Sequence, residues 1–94
     1  MYIFHEDPGH GWLEVPVSEL LELGIINQIS EFSYLSLDRK TAYLEEDCDL
    51  AVFFNAKKET DSPIIFDNAN PKCNVKEKVY QTQSAPLRNL PSFK

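Results

Sequence analysis

Four carboxylates are concentrated at one point of the chain, where a strand-like segment gives way to a helix-like one. They belong to Glu45, Glu46, Asp47 and Asp49. A carboxylate just before a helix accepts hydrogen bonds from the free N–H groups of the first turn, and it interacts favourably with the helix dipole. We expect Asp47 or Glu46 at the N-cap, which leaves the other carboxylates in solvent. Carboxylates pair with Arg as phosphates do, so these acids, together with Glu19 and Glu22, predict a surface that binds basic groups.

A second group of side chains able to bind a metal or take part in catalysis lies in the predicted turn of residues 5–10. Its sequence, HEDPGH, places two imidazoles, His5 and His10, beside two carboxylates. These are ligand types that divalent transition metals use. The spacing is not that of a known metal motif and no third ligand is evident. The simpler interpretation is that the two histidines flank a turn and bind no metal. A small metal-assisted enzyme using His5 and His10 is kept as an alternative, and no cofactor is predicted.

Other catalytic patterns are missing from the sequence. Three glycines in the whole chain provide no phosphate loop of the Walker or Rossmann type. No serine lies in a nucleophile elbow, and no two of the 15 carboxylates stand out as a glycosidase pair. The two cysteines, Cys48 and Cys73, are too few for a disulfide scaffold. The acids around Cys48 oppose a lowered thiol pKa, so we do not expect a cysteine nucleophile or any catalytic residue.

The charge of the chain is unevenly distributed. Residues 1–56 carry eleven acidic and two basic side chains, whereas residues 57–94 carry four acidic and seven basic ones. The net charge of −6 disfavours direct binding to DNA or RNA phosphates. It steers the chain toward basic protein surfaces, and it also keeps a small domain soluble. No apolar run of about 18 residues is present, and the start of the chain lacks the regions of a secretory signal. We therefore expect no membrane partner and a cytoplasmic location.

Hydrophobic patterning predicts the elements that position these side chains. Residues 2–15 predict a β-hairpin around the turn-forming Asp7-Pro8-Gly9 segment. Pro16 ends the second strand and opens a short helix, and Gly24 is suited to the left-handed residue just after that helix. Residues 32–44 predict a second hairpin, and residues 47–58 predict a helix with an apolar face. The order ββαββα predicts an α+β fold in which two helices pack on one face of a small antiparallel sheet.

The composition changes after Asp67. Residues 1–67 form the compact domain in this prediction, and residues 68–94 form an irregular or extended tail. Residues 75–81 alternate weakly and favour one additional edge strand. Residues 82–94 have few apolar side chains and no periodicity, which favours disorder in isolation. The alternative is a tail that docks on a second copy of the chain, which makes an oligomeric structural protein a third hypothesis.

Two segments together carry a resemblance to proteins of mobile elements. Residues 8–13 read PGHGWL and residues 43–49 read YLEEDCD. This pairing resembles small proteins carried by bacteriophages and plasmids, in which a Pro-Gly-His-Gly start precedes a Tyr-x-Glu-Glu-Asp stretch. The resemblance covers roughly residues 5–55 and carries over no catalytic residue. It implies an accessory gene acting inside a bacterial host. Small acidic proteins of that origin are often inhibitors of host defence systems, including anti-CRISPR proteins, which is an analogy of origin and charge.

These observations together predict a non-enzymatic, acidic protein-binding module. Its partner is expected to be a basic surface of a host protein that handles nucleic acid. On such a surface the carboxylates would take the place of phosphates.

Overall fold

A five-stranded mixed sheet lies at the centre of the computed structural model, which describes residues 1–81 and 83–94. The strands are β1 (Tyr2–Glu6), β2 (Gly11–Pro16), β3 (Tyr34–Leu35), β4 (Thr41–Glu45) and β5 (Val75–Val79), and their spatial order is β3-β4-β2-β1-β5. The helices are α1 (Val17–Glu22) and α2 (Asp49–Lys58), and 3-10 turns span Ile26–Gln28 and Pro86–Asn89. The predicted α+β class is confirmed. The element order goes beyond ββαββα, because a fifth strand and two 3-10 turns are added.

The sheet is mixed, and the prediction of an antiparallel sheet is wrong at one edge. Strand β5 pairs in parallel with β1, with Val75 opposite Tyr2 and Val79 opposite Glu6. A parallel neighbour requires a long connection between the two strands, and residues 7–74 separate β1 from β5, with residues 59–74 leading from α2 to β5. Asn74 fixes the end of that connection, since its side-chain amide donates to the Pro63 carbonyl and accepts the Ile65 N–H. Strand β5 falls inside the 75–81 segment that the sequence singles out.

The first hairpin and the first helix follow the local signals in the sequence. Strands β1 and β2 are antiparallel, and Glu6 lies opposite Gly11 at the turn. A side chain at Gly11 would overlap the ring of Phe4, so close packing requires glycine there. Gly24 has a φ of 70° after α1. The N–H of Ile25 then donates to the Leu20 carbonyl, which closes the helix as predicted.

Both helices cover the same face of the sheet. Leu13 and Leu44 point from neighbouring strands into the main core, where they meet Leu20 of α1 and Phe53 of α2. All four side chains are fully buried. Within the described residues, 1–81 and 83–94, neither helix has the length and apolar composition that a membrane span requires.

The opposite face of the sheet is covered by the end of the chain. Ala85 and Leu87 pack against Trp12 in a second apolar cluster. The N–H of Leu35 donates to the Pro91 carbonyl, and the N–H of Phe93 donates to the Ser33 carbonyl. Residues 83–94 are therefore attached to the chain's own sheet, and the division at residue 67 does not coincide with a break in packing. Composition did not indicate this because the apolar side chains that make the contacts, among them Leu87, Leu90 and Phe93, are spaced without the periodicity of a helix or strand.

The carboxylate of Asp7 anchors this terminal segment. It accepts hydrogen bonds from the Ala85 N–H at 2.9 Å, from Arg88 Nε at 2.7 Å and from Arg88 Nη2 at 2.8 Å. Its other donors are the N–H groups of Gly9 and His10 in the hairpin turn. The Asp7 side chain is 1% exposed. Its pairing with Arg88, assisted by the backbone donors, holds the pKa of Asp7 well below its usual range.

We expect Arg88→Ala to destabilise the fold by about 3 kcal/mol, the lower end of the range for breaking a buried ion pair. The lower end applies because Arg88 is itself 31% exposed. Chemical denaturation of both proteins measures the difference. Lys72→Ala removes the same kind of charge from an exposed loop and should change stability by less than about 0.5 kcal/mol. Equal stabilities for Arg88→Ala and the natural chain would contradict the anchoring role.

The same pair makes part of the stability dependent on pH. Because the folded-state pKa of Asp7 is lowered, its contribution is complete above the unfolded-state value and is lost as the pH falls through the folded-state value. The stability advantage of the natural chain over Asp7→Asn should therefore be full at about pH 7 and shrink below about pH 4. Thermal melts of both proteins across this range measure it. A difference that stays constant with pH would show that Asp7 does not titrate in this way.

Candidate functional site

A pocket of about 290 Å³ opens on the face of the sheet opposite the helices. Its lining combines aromatic, acidic and basic side chains: His10, Trp12, Phe32, Tyr34, Glu45, Asp47, Cys48 and Arg88. They come from the first hairpin, from the approach to β3, from the junction between β4 and α2, and from the terminal 3-10 turn. The pocket is therefore built from parts of the chain that are distant in sequence.

The pairing of β2 with β4 sets the floor of the pocket. Trp12 lies directly opposite Glu45, so strand alternation places both side chains on the same face. The N–H of Glu46 then donates to the Gly11 carbonyl, which extends this pairing by one residue before the chain turns into α2. Arg88 lies over the indole ring of Trp12, with 4.9 Å between its guanidinium carbon and the ring centroid. The terminal segment thereby closes one side of the pocket.

Two buried polar atoms in the floor have no hydrogen-bond partner among residues 1–81 and 83–94. One is Nε1 of Trp12 and the other is Oε1 of Glu45. The second carboxylate oxygen of Glu45 is used locally, since Oε2 accepts the N–H of Asp47 at 2.9 Å. A buried carboxylate oxygen without a donor is costly, because nothing replaces the water it has lost. Glu45 is therefore the acid at this junction that has a buried carboxylate oxygen without a hydrogen bond.

His10 stands directly beside that unpaired oxygen. Its Nδ1 lies 3.5 Å from Oε1 of Glu45, and its side chain is 48% exposed. The backbone of His10 is held by Asp7 Oδ1, which accepts both the His10 and Gly9 N–H groups. One ligand atom each from His10, Glu45 and Asp47 fall within 4.8 Å of one another. This arrangement brings one nitrogen and two carboxylates to the rim of the pocket.

The predicted acidic residues do not share one environment. Glu46 and Asp47 are exposed, whereas Glu45 and Asp49 are buried. Partial burial raises the pKa of Glu46, and the charges of Asp47, Glu6 and Glu45 raise it further. Glu6, which the sequence analysis did not select, is thus close enough to act on Glu46. The hairpin pairing brings it there, and strand register is the signal that could have found it.

Asp49 has a structural role, so the prediction that it is part of a solvent-facing surface is wrong. Its carboxylate accepts hydrogen bonds from the N–H and Oγ of Ser30 and from Oγ of Ser33. Ser33 in turn accepts the N–H of Glu45. This chain of bonds joins the start of α2 to the approach to β3 and to the end of β4. Both serines lie in the loop before β3, which brings their hydroxyl groups to the carboxylate at the start of α2.

The expected N-cap is also different. The N-cap residue of α2 is Cys48, and no side chain makes a capping hydrogen bond to the first turn. Asp47 and Glu46 lie before this position, in the turn that leaves β4. Partial desolvation and the neighbouring carboxylates, Glu45 first among them, raise the pKa of the Cys48 thiol. That direction opposes thiolate formation, as expected for a cysteine surrounded by acids.

Glu19 and Glu22 lie away from the junction. Glu19 accepts the hydroxyl of Tyr2 and pairs with Lys57 Nζ at 3.4 Å. Lys57 is in the last turn of α2, about 12 Å along the helix axis from its first residue. Glu22 is exposed at the end of α1. These two acids therefore belong to the helix-covered side of the molecule and do not extend the acidic junction.

The two histidines are not brought together. His5 is buried opposite Trp12 in the β1–β2 pairing. Its Nε2 contacts Glu14 at 2.8 Å and its Nδ1 contacts the Tyr80 hydroxyl at 3.2 Å. The metal alternative centred on His5 and His10 thus has no common site in the geometry. His10 instead shares its position with Glu45 and Asp47.

Comparisons of the chain with protein-family models, with curated proteins and with solved structures find no match. The interpretation of the site therefore depends on its geometry.

The contrast between Asp49 and Asp47 gives a direct test of this assignment. We expect Asp49→Ala to destabilise the fold by about 3 kcal/mol, because it leaves the Ser33 hydroxyl and the Ser30 N–H without their charged acceptor. Asp47→Ala removes an exposed carboxylate two residues earlier and should change stability by less than about 0.5 kcal/mol. Urea denaturation of the two variants measures both values. Similar losses for the two variants would contradict the division into structural and exposed acids.

Proposed function

We propose that the chain is a non-enzymatic protein-binding module whose acidic surface occupies a basic surface of a partner protein. The acidic surface consists of Glu6, Glu46 and Asp47. It replaces the wider set expected from the sequence, because Asp49 and Glu19 are engaged within the fold and Glu22 lies elsewhere. Glu45 contributes charge from beneath this surface.

The observation that carries the proposal is that Glu6, Glu46 and Asp47 are all exposed and lie close together, because Gly11 pairs with Glu6 and its carbonyl accepts the Glu46 N–H. Partial burial raises the pKa of Glu46, and repulsion from Asp47, Glu6 and Glu45 raises it further, while His10 lowers it. Arg88, the guanidinium that lines the adjacent pocket, is bound by Asp7 and does not offset them. A basic group placed over the acidic surface would relieve this repulsion. Part of the binding free energy would then come from strain already present in the free protein.

The neighbouring pocket supplies the apolar component that a protein interface needs. Phe32 is 61% exposed and lines the pocket together with Tyr34 and Trp12. Interfaces combine a core rich in aromatic side chains with a polar rim. The acidic surface beside an aromatic pocket matches this arrangement.

The partner that fits this surface is a protein that normally holds phosphates. Carboxylates form the same bidentate pairs with Arg that phosphates form, so an acidic surface competes with nucleic acid for the same side chains. The net charge of −6 opposes a direct role in nucleic-acid binding. The resemblance of residues 8–13 and 43–49 to phage and plasmid proteins supports a bacterial cytoplasmic setting. Within it, we propose inhibition of a nucleic-acid-binding defence complex of the anti-CRISPR kind.

The decisive variant is Glu6→Lys combined with Glu46→Lys, which reverses two charges of the acidic surface and leaves the pocket floor intact. We expect partner affinity to fall by at least about tenfold, because like charges would face each other across the interface. Glu22→Lys with Glu59→Lys makes the same change in net charge at exposed positions outside the acidic surface, and should change affinity by less than about threefold. Capture from bacterial lysate at low and high salt identifies candidates, and titration of the recovered partner measures affinity.

Two results would contradict the proposal. One is equal loss of affinity for both double variants, which would reflect net charge alone. The other is binding that neither variant weakens and that salt does not change, since contacts between exposed charges are screened at high ionic strength.

A further inference from the structure

The rim of the pocket contains a set of ligand atoms, two of whose three residues, His10 and Glu45, lie outside the proposed acidic surface. They are one ring nitrogen of His10 and one carboxylate oxygen each of Glu45 and Asp47, all within 4.8 Å of one another. The Glu45 side chain is 9% exposed, and its Oε1 has no hydrogen-bond donor among residues 1–81 and 83–94; its contact is the 3.5 Å ion pair with Nδ1 of His10. A buried carboxylate oxygen that faces an imidazole nitrogen without a hydrogen bond is a candidate ligand atom.

The distance between the His10 nitrogen and the Glu45 oxygen can be compared with that of a hydrogen bond and with that of two metal ligands. Nδ1 of His10 and Oε1 of Glu45 are 3.5 Å apart, which is longer than the 2.7–3.2 Å of a normal N–H···O bond. A tetrahedral zinc ion holds nitrogen and oxygen ligands at about 2.0–2.2 Å, and two such ligands are then about 3.4 Å apart. The 3.5 Å spacing is close to that of two ligands of a tetrahedral cation.

The surroundings favour a divalent cation at this position. Glu6 and Glu46 add negative charge nearby, and the charge of Glu6 contributes to the raised pKa of Glu46. Arg88, which also lines the pocket, has its charge engaged by Asp7. The backbone of His10 is fixed by the Asp7 carboxylate, and the Asp47 N–H is fixed by Oε2 of Glu45. The backbone at His10 and Asp47 is thus held in place before any ion binds.

We propose that His10, Glu45 and Asp47 bind a divalent transition-metal ion of the zinc class. One imidazole and two carboxylates suit zinc or manganese better than calcium, which prefers a larger set of oxygen ligands. Three protein ligands leave a coordination position open on the pocket side. A water molecule or a donor atom from a partner fills that position.

Titration of the purified chain with zinc chloride tests this inference without any partner, so its outcome is separate from that of the proposed function. We expect a single zinc ion per chain by calorimetry and a rise in melting temperature with zinc concentration, because the folded state alone presents the site. Calcium at the same concentration should give neither effect. In an NMR titration, the ring signals of His10 should shift while those of buried His5 stay in place.

Four variants assign the ligands. His10→Ala and Glu45→Gln should each weaken zinc binding by at least about tenfold. Glu46→Gln removes a neighbouring acid that is not a ligand and should keep the affinity within about threefold. Cys48→Ser should also bind zinc, because its thiol is not in the ligand set. His10→Ala should fold normally, since the hairpin turn uses the backbone N–H of residue 10 and not its ring.

Three outcomes would overturn the inference. The first is the absence of any heat or melting shift at about 1 mM zinc, which is the result expected if Glu45 and protonated His10 form an ordinary ion pair. The second is zinc binding that His10→Ala and Glu45→Gln leave unchanged. The third is loss of binding in Cys48→Ser, which would place the ion on a thiol instead.

Discussion

The buried carboxylate of Asp7 is the interaction on which the site depends. It binds two N–H groups of the hairpin turn and, from the far end of the chain, the Ala85 N–H and the Arg88 guanidinium. A carboxylate so far from water requires its donors, so the turn and the terminal segment are held in place by the same group. Arg88 then covers the Trp12 indole and closes the pocket. The turn presents His10 at the edge of that pocket, so both ends of the chain meet at one site.

The junction between β4 and α2 gives neighbouring acids opposite environments. Strand alternation carries the Glu45 side chain onto the covered face beside Trp12. The turn that follows leaves Glu46 and Asp47 in solvent, and Asp49 begins the helix with its carboxylate directed at Ser30 and Ser33. A carboxylate whose oxygens accept hydrogen bonds within the fold in this way is unavailable to a partner. The acidic surface is consequently smaller than the count of acids indicates, and it is completed by Glu6 from another strand.

Local patterns in the sequence predicted local structure, and apart from the N-cap of α2 their failures are long-range. The turn at Asp7-Pro8-Gly9 and the cap at Gly24 require particular backbone angles, so residue types alone identify them. The parallel pairing of β5 depends on a crossover connection that has no periodic signature. Ala85 and Leu87 offer too little apolar surface to reveal that their segment covers Trp12. The pocket was missed for the same reason, because its lining comes from four separate parts of the chain.

The segments that carry the mobile-element resemblance, residues 8–13 and 43–49, are adjacent in space because β2 pairs with β4. Both proposed properties arise where they meet, and they share only one residue. Glu6 and Glu46 belong only to the acidic surface, His10 and Glu45 hold the cation, and Asp47 is common to both. A cation at the rim would therefore neutralise part of the local charge and leave two carboxylates facing outward. Its open coordination position would lie on the side from which a partner approaches the pocket, so a partner's donor group could complete the metal site.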